Sequence, residues 1–295
     1  MKITELFKRG EFVVTAEIGP PKGFHIEHLL DEAEEYLKGV TAINVTDNQS
    51  SVMRLGSLAT CVALKNRGFE AIFQVTCRDR NRIALQSDIL SAAYFGIENL
   101  LLLTGDHTKL GDHPQAKPVF DLDSVSLIHA VKTLESGRDL GGKDPLDGEP
   151  PSFAKGAVVS PCSDSVDVQL AKMEQKVKAG AEYFQTQAVY ESEKFFRFME
   201  KAKQFGKPVQ LGIVIPKSAA MAKFMNNNVA GISVPQEMID ELNADKEKTK
   251  AGITGVEISA RIIRECKDYC QGVHLMTLGW ENKVPEILKL AGIAR

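Results

Sequence analysis

Two acidic residues occur where apolar segments of the sequence end. Glu17 lies within Val-Val-Thr-Ala-Glu-Ile, just before a Gly-Pro-Pro turn, and Asp106 follows Leu-Leu-Leu-Leu-Thr-Gly. Burying a carboxylate in apolar surroundings costs free energy unless the group is paired with a partner or takes part in the chemistry of a site. Both residues are therefore candidates for acid–base or electrostatic catalysis. Glu17 could instead be a salt-bridged strand residue, and Asp106 could cap the N-terminus of a following helix.

Cysteine is a second residue type that could support chemistry. The five cysteines are spread along the chain without a C-x-x-C pair, and their odd number argues against a disulfide framework. Cys266 and Cys270 are four residues apart in a predicted helix, so they share one face and could join a metal site. Two ordinary helix cysteines are the favoured interpretation, and no metal site is predicted.

Short β-rich runs alternate with longer amphipathic stretches along the sequence. The predicted strands span residues 12–18, 42–46, 71–76, 100–104, 156–160, 183–187, 209–214 and 272–277. Apolar residues at helical spacing mark residues 26–37, 57–67, 81–95, 166–178 and 192–205. These repeats predict an α/β fold, a single (β/α)8 TIM barrel that occupies residues 1–295 as one domain. An open doubly wound sheet is disfavoured because Gly-Pro-Pro-Lys-Gly, and not G-x-G-x-x-G, follows the first strand.

Two segments interrupt this alternation. Residues 137–152 are rich in glycine, proline and aspartate, which predicts a surface loop. Residues 226–250 begin with Asn-Asn-Asn-Val-Ala-Gly and continue as a charged segment, which predicts an extension with one helix after the seventh strand. Strands of the same period continue beyond both segments, so neither is predicted to be an interdomain linker.

Charge and hydropathy exclude several classes of partner. The formal net charge of −3 and the pI of about 6.1 provide no field that would attract nucleic acid or an anionic membrane. No apolar run approaches the ~18–20 residues that a membrane helix needs. The N-terminal residues lack the apolar segment of a signal peptide. The sequence therefore predicts a cytoplasmic protein without membrane insertion.

Polar residues collect where the predicted strands end. In a (β/α)8 barrel the active site lies at the carboxyl ends of the strands, so these residues are expected to face one another. They are Glu17, Thr46-Asp47-Asn48, Gln74, Thr76-Cys77, Thr104-Gly105-Asp106-His107, Gln185-Thr186-Gln187 and Thr277.

Five motifs occur in order at these strand ends: TAEIGPPKG, FQVTCRDRN, LLLLTGDH, GAEYFQTQAVYE and HLMTLGW. Together they resemble the methylenetetrahydrofolate reductase family over nearly the whole chain. GDHPQAKPVFDLDSV and KSAAMAKFMNNNVAGISVP are similar to a bacterial and archaeal branch with divergent electron donors. The resemblance implies flavin-dependent reduction of 5,10-methylenetetrahydrofolate to 5-methyltetrahydrofolate in one-carbon metabolism and methionine biosynthesis.

The resemblance also implies roles for individual residues. Glu17 matches the family's general acid, which protonates the folate so that its methylene bridge opens to an iminium cation. Asp106 matches an aspartate that faces pterin and flavin, and Gln187 matches a glutamine that contacts the folate. The residues that match flavin-binding positions are Thr46, Gln74, Thr104, Gly105, Asp106, Asp121 and Lys176. The implied cofactor is FAD, with FMN as an alternative.

The sequence departs from the family pattern next to both ligands. Thr104 stands where the family has arginine in L-R-G-D, and Trp280 stands where it has arginine in T-L-N-R. Electrons are therefore expected from NAD(P)H or from a companion electron-transfer subunit, and an oligomer or a heteromeric complex is implied. Two alternatives are a flavin-bearing relay or folate-binding subunit of a larger reductase, and a folate-binding methyltransferase barrel. The last lacks support because no Cys/His zinc cluster is visible.

Overall fold

The computed structural model describes residues 1–293, so the last two residues of the predicted 1–295 domain lie outside the described part of the chain. Eight parallel strands close in sequence order into a barrel, with β8 paired to β1. The strands are β1 (Val13–Ile18), β2 (Ala42–Val45), β3 (Ala71–Thr76), β4 (Asn99–Leu103), β5 (Ala154–Val159), β6 (Tyr183–Ala188), β7 (Val209–Val214) and β8 (Gly272–Met276). The predicted (β/α)8 fold class is confirmed.

The predicted strands agree closely with the observed ones. β3 and β7 match to the residue, and the largest difference is at β5, which begins two residues earlier than predicted, at Ala154. Ala154 and Lys155 pair with Asn99 and Leu100 of β4, so the ladder extends further toward the N-terminal end than the apolar pattern indicated.

Twelve helices occur among the described residues, and most of them surround the barrel. They are α1 (Ile3–Lys8), α2 (Glu27–Tyr36), α3 (Ser57–Asn66), α4 (Arg82–Tyr94), α5 (Ser124–Glu135), α6 (Val166–Ala179), α7 (Ser192–Ala202), α8 (Ala219–Asn228), α9 (Gln236–Ala244), α10 (Lys246–Lys250), α11 (Ile253–Cys266) and α12 (Val284–Ala291). Five of them, α2, α3, α4, α6 and α7, match the predicted helices, although the end of the fifth, Lys203–Phe205, is a 3-10 turn.

The segment after β7 differs from its prediction. The single charged helix expected there is wrong, because Asp245 separates α9 from α10 with extended backbone angles. Its carboxylate accepts a hydrogen bond from Lys248 N at 3.0 Å and thereby caps α10. Residues 137–152 form the predicted loop, with one isolated bridge between Arg138 and Pro145.

The interior of the barrel is divided into an apolar half and a polar half. Side chains alternate across each strand, so every second residue points inward. Toward the N-terminal ends, the inward residues Val13, Ala42, Ile72, Leu101 and Tyr183 pack against Ile3, Leu6 and Phe7 of α1. Helix α1 thus closes this end of the barrel. Further along the same strands the inward residues are polar. The polar side chains that a ligand can reach therefore lie at the carboxyl ends of the strands.

The ring of Tyr183 requires a glycine at position 156, in the apolar half of the barrel. The Tyr183 hydroxyl donates to Leu100 O at 2.9 Å across the barrel. A Cβ at Gly156 of β5 would lie 2.3 Å from Tyr183 Cζ, so only glycine at this position leaves room for the ring.

Candidate active site

A cavity of about 460 Å³ opens at the carboxyl ends of the strands. Of the residues to which the sequence assigned a catalytic or ligand-binding role, all except Asp121 line it, and they come from β1, β2, β3, β4, α6 and β6 or from the loops that follow the strands. They are Glu17, Thr46, Gln74, Thr104, Gly105, Asp106, Lys176 and Gln187. The fold therefore brings together side chains that are up to 170 residues apart in the sequence. Cys77, His107 and Thr277, which were expected at the same strand ends, lie outside its lining.

Glu17 lies at the floor of this cavity, with a side chain that is 10% exposed. Gln49 Nε2 donates to its Oε1 at 3.2 Å, and Gln74 Nε2 donates to its Oε2 at 2.9 Å. His274 Nε2 lies 3.6 Å from Oε2. Within residues 1–293, no lysine or arginine forms an ion pair with this carboxylate, and a salt bridge to Glu17 would require a protonated His274.

A second buried carboxylate, that of Asp47, joins the ends of β2 and β3. It accepts hydrogen bonds from Thr76 N at 2.8 Å and from Thr76 Oγ1 at 2.9 Å, and it pairs with Arg80. Burial alone would lower the pKa of Arg80, but Asp47 and Asp88 raise it overall. Because these partners occupy Oδ2 of Asp47, this residue is a structural link between the ends of β2 and β3.

The loop after β2 has unusual backbone geometry. Asn48, Ser50 and Ser51 have positive φ values of 46°, 56° and 59°, in the region that non-glycine residues rarely adopt. Buried Arg78 supports this loop, because its Nη2 donates to Asn48 O at 3.2 Å and its Nη1 donates to Ser51 Oγ at 3.1 Å. The same loop carries Gln49, so Arg78 indirectly positions a donor to the Glu17 carboxylate.

Asp106 follows a glycine that the structure requires. Gly105 has a φ of +89°, and a Cβ there would lie 3.0 Å from Thr76 Cβ. The Asp106 side chain is exposed to the cavity, and its carboxylate has no hydrogen-bond or ion-pair partner among residues 1–293. The next helical turn is capped by His107, and α5 is capped by Asp123. The helix-cap interpretation of Asp106 is therefore wrong.

Two features of the cavity lining suit a cofactor with hydroxyl and phosphate groups. The hydroxyl oxygen of Thr46 is buried and has no hydrogen-bond partner. Lys176 Nζ donates to Val158 O at 2.6 Å, and burial, aided by neighbouring Lys172, lowers the pKa of Lys176 to about 8. An unpaired hydroxyl and an ammonium group without a carboxylate partner are groups that a ligand would satisfy. The residues present thus fit a flavin nucleotide.

The remaining predicted positions have local partners. Thr104 Oγ1 accepts from Ser124 N at 3.0 Å, which ties the end of β4 to the start of α5. Gln187 Oε1 accepts from Ala188 N at 3.1 Å, beside an irregularity in the β6–β7 pairing. Asp121 lies outside the cavity lining and pairs with Arg82 at 2.8 Å, so its role in binding flavin stays a prediction.

Several important lining residues were not predicted individually. Gln49 and His274 contact Glu17, and Lys172 lies beside Lys176. His274 had a detectable signal, since it is a polar residue inside an apolar strand, whereas Gln49 belongs to an irregular loop whose conformation has no periodic pattern. All five cysteines are buried and free, and no group of three or more His, Cys, Asp or Glu that could hold a metal occurs within residues 1–293.

This arrangement defines a class of protein: a (β/α)8 barrel with a carboxylate-bearing, ligand-sized cavity at the carboxyl ends of its strands. A profile of the methylenetetrahydrofolate reductases matches residues 2–292. The chain belongs to the methylenetetrahydrofolate reductase family. Over the part of the chain that the structure describes, no helix is both long enough and apolar enough to cross a membrane.

The similar proteins of known name are distant. Methylenetetrahydrofolate reductase 2 of Schizosaccharomyces pombe is 27% identical over 239 residues, which cover 76% of this chain but 36% of that protein. The chain thus spans about a third of the length of this relative. The 5,10-methylenetetrahydrofolate reductase of Escherichia coli K12 is 24% identical over 87% of this chain and 82% of its own length.

Solved structures share the fold at low sequence identity. A protein from Clostridium thermocellum, described as binding two copies of 5-methyl-5,6,7,8-tetrahydrofolic acid, superposes with a TM-score of 0.65 at 15% identity, covering 99% of this chain and 98% of the other. DmoA from Hyphomicrobium sulfonivorans gives a TM-score of 0.57 at 9% identity, covering 97% of this chain and 89% of the other. These similarities support the barrel fold.

Proposed function

We propose that this protein reduces 5,10-methylenetetrahydrofolate to 5-methyltetrahydrofolate with a bound flavin, in the one-carbon metabolism of the cytoplasm. The observation that carries the proposal is the buried carboxyl group of Glu17 at the floor of an open cavity in a chain of this family. The structural neighbour that binds 5-methyltetrahydrofolate adds support, because that folate is the product of the proposed reaction.

In this proposal Glu17 is the general acid. Its protonated carboxyl group donates a proton to a nitrogen of the methylene bridge, so that the bridge opens to an iminium cation. Gln74 and Gln49 orient the carboxyl group before the reaction and stabilise the carboxylate that remains after it. The carboxylate of Asp106, which has no protein partner, is available for a hydrogen bond from the pterin and for stabilising the cation.

The proposed cofactor is FAD, with FMN as the alternative. Bound flavin supplies the hydride that reduces the opened bridge. Thr46 would donate its free hydroxyl to the cofactor, and Lys176 would pair with a phosphate. Extraction of the cofactor from the purified chain, followed by chromatography, distinguishes the two flavins.

The pKa of Lys176 predicts how flavin affinity depends on pH. A bound phosphate favours the ammonium form, so binding should weaken as pH rises through about 8 and Lys176 loses its proton in the free protein. We expect flavin affinity to fall about tenfold from pH 7 to pH 9, measured by fluorescence titration of the apoprotein. In Lys176→Arg, which stays charged, this dependence should flatten. A wild-type affinity that is constant over this range would contradict the phosphate contact.

A second prediction concerns the electron donor. Thr104 and Trp280 replace arginines of the family pattern, and Lys217 Nζ lies 4.9 Å from the centre of the Trp280 ring. We expect NADH to reduce the flavin of the isolated chain far more slowly than the folate is turned over, because a companion electron-transfer subunit supplies the electrons. Stopped-flow absorption measures both half-reactions, with dithionite as the control reductant. Flavin reduction by NADH at the rate of folate turnover would instead support a self-sufficient enzyme.

The purified chain itself tests the proposed function. We expect a yellow protein whose reduced flavin is reoxidised, without oxygen, when methylenetetrahydrofolate is added. A yellow protein that exchanges electrons but does not respond to folate would favour the relay-subunit alternative. A colourless protein that binds folate without redox change would favour the methyltransferase-like alternative.

A further inference from the structure

The guanidinium group of Arg78, just after β3, contacts two other loops at the mouth of the cavity. Its side chain is 3% exposed, and Nε and Nη2 donate to the two carboxylate oxygens of Asp79 at 2.8 and 2.7 Å. Nη2 also donates to Asn48 O at 3.2 Å, and Nη1 donates to Ser51 Oγ at 3.1 Å and to Asp106 O at 3.5 Å. Each of the five N–H hydrogens therefore has an acceptor in the protein.

Asp79 fixes the orientation of this guanidinium group. Burial alone would raise the pKa of Asp79, but the hydrogen bond and the charge of Arg78 lower it overall, so the carboxylate stays ionised. Two parallel hydrogen bonds between an arginine and a carboxylate hold both groups in one plane. The remaining N–H hydrogens of Arg78 then point at the loops that follow β2 and β4. Arg78 borders the cavity, but its N–H groups all donate to protein acceptors.

The loop after β2 carries Gln49, whose side chain donates to Glu17 Oε1 at 3.2 Å. Arg78 holds the residues on both sides of Gln49, through the carbonyl oxygen of Asn48 and the hydroxyl of Ser51. Asn48 and Ser51 both have positive φ values, and such a conformation persists only where the surrounding structure holds it. Without the bonds from Arg78, we expect this loop to relax and Gln49 to leave its position beside Glu17.

The loop after β4 carries Asp106, and the same two side chains hold its backbone. Asp106 O accepts hydrogen bonds from Arg78 Nη1 and, at 3.1 Å, from Ser51 Oγ. The Ser51 hydroxyl also lies 3.1 Å from His107 O. Gly105 has a φ of +89° and no side chain that would restrict its rotation. Because the Asp106 carboxylate has no partner among residues 1–293, the contacts of its backbone set its position.

We infer that Arg78 is a positioning residue for both carboxyl groups of the active site, those of Glu17 and Asp106. It acts on the first through Gln49 and on the second through the peptide backbone, and the inference rests on the proposed function. One side chain thereby sets the distance between the proposed proton donor and the charge proposed to stabilise the cation. Misplacement by about 1 Å can cost roughly a hundredfold in rate, so this distance matters for the reaction.

Arg78→Lys separates positioning from charge. Lysine keeps a positive charge beside Asp79, but its donors share one nitrogen and cannot reach both loops as the planar guanidinium group does. We expect the flavin reduction potential to rise toward that of Asp106→Asn, because the Asp106 carboxylate is no longer held at the cavity. In a chain that already carries Asp106→Asn, Arg78→Lys should leave the potential unchanged. An equal shift in both backgrounds would overturn the inference, since the effect would then bypass Asp106.

Reoxidation of reduced flavin by methylenetetrahydrofolate tests both contacts together. Arg78→Lys should slow this half-reaction by about tenfold to a hundredfold in the wild-type chain. It should slow it less than about twofold in a chain that already carries Gln49→Leu and Asp106→Asn. Arg261→Met is the matched control, because Arg261 of α11 also forms a bidentate pair, with Glu241. Equal slowing by Arg78→Lys in both backgrounds would overturn the inference.

Hydrogen exchange of the purified chain, measured by mass spectrometry, tests the anchoring itself. In Arg78→Lys, peptides from the loops after β2 and β4 should exchange faster, whereas peptides from α11 should not change. Melting temperatures check that the variant folds. Unchanged exchange in both loops would overturn the inference. A wild-type chain inactive toward folate would overturn the proposed function, while the exchange data would still decide whether Arg78 holds the two loops.

Ser51→Ala is a second variant that leaves the buried arginine in place. It removes the hydroxyl that lies between Arg78 and Asp106 O, so the loop after β4 should exchange faster. The flavin potential should rise in this variant as well, and only where Asp106 is present. Wild-type exchange and potential in Ser51→Ala would contradict the contact with Asp106, even if Arg78→Lys did not fold.

Discussion

Glu17→Gln is expected to abolish folate reduction while flavin binding survives. The amide keeps the shape of the side chain but cannot donate the proton that opens the methylene bridge. General acid catalysis typically contributes roughly 10²–10⁴-fold to a rate, so a loss of that size is expected in the reoxidation of reduced flavin by methylenetetrahydrofolate. Stopped-flow absorption of the flavin measures this half-reaction without involving the physiological electron donor.

The surroundings of Glu17 make this substitution informative. Gln49 and Gln74 donate to opposite oxygens of the carboxyl group, and either amide can rotate to meet the new NH2 group. The variant should therefore fold and bind flavin with nearly unchanged affinity. Glu174→Gln is a matched control, since Glu174 pairs with Lys178 on the exposed side of α6. If Glu17→Gln reduced the folate at close to the wild-type rate, Glu17 would not be the acid.

Asp106→Asn is expected to change flavin and folate together. The carboxylate at the cavity has no protein partner, so its charge acts on whatever ligand is bound. Removing this charge should raise the flavin reduction potential, because the anionic reduced form loses a repelling neighbour. Folate affinity should fall by about tenfold to a hundredfold, because the pterin loses a charge-assisted hydrogen bond. A spectroscopic redox titration and a folate-binding titration measure the two effects.

The structure also predicts what Asp106→Asn should leave unchanged. Asp106 caps no helix, since His107 and Asp123 cap the elements that follow β4, so the melting temperature should stay close to that of the wild type. Asp268→Asn provides the control, because Asp268 is exposed in the turn that precedes β8, at the opposite end of the barrel. An unaltered potential and unaltered folate affinity would remove Asp106 from the active site.

The sequence by itself determined the barrel and the end of it that carries the site. Short β-rich apolar runs alternating with amphipathic helices require a sheet covered by helices, and the motifs at the strand ends indicated the family. Glu17, Thr46, Gln74 and Asp106 could be predicted because each interrupts or ends an apolar strand, and in a parallel barrel all strand ends of one type meet.

Only the tertiary structure decided which side chains contact one another. Neither the hydrogen bond from Gln74 to Glu17 nor the pairing of Asp121 with Arg82 outside the cavity lining was predicted from the sequence, and flavin binding by both residues stays a prediction. Hydrogen-bond partners depend on strand stagger and loop conformation to within fractions of an ångström, and spacing along the chain does not encode these. The contacts of Gln185 Nε2 with Asn44 Oδ1 and Gln210 Oε1 likewise join side chains of β2, β6 and β7 that come together only when the barrel closes.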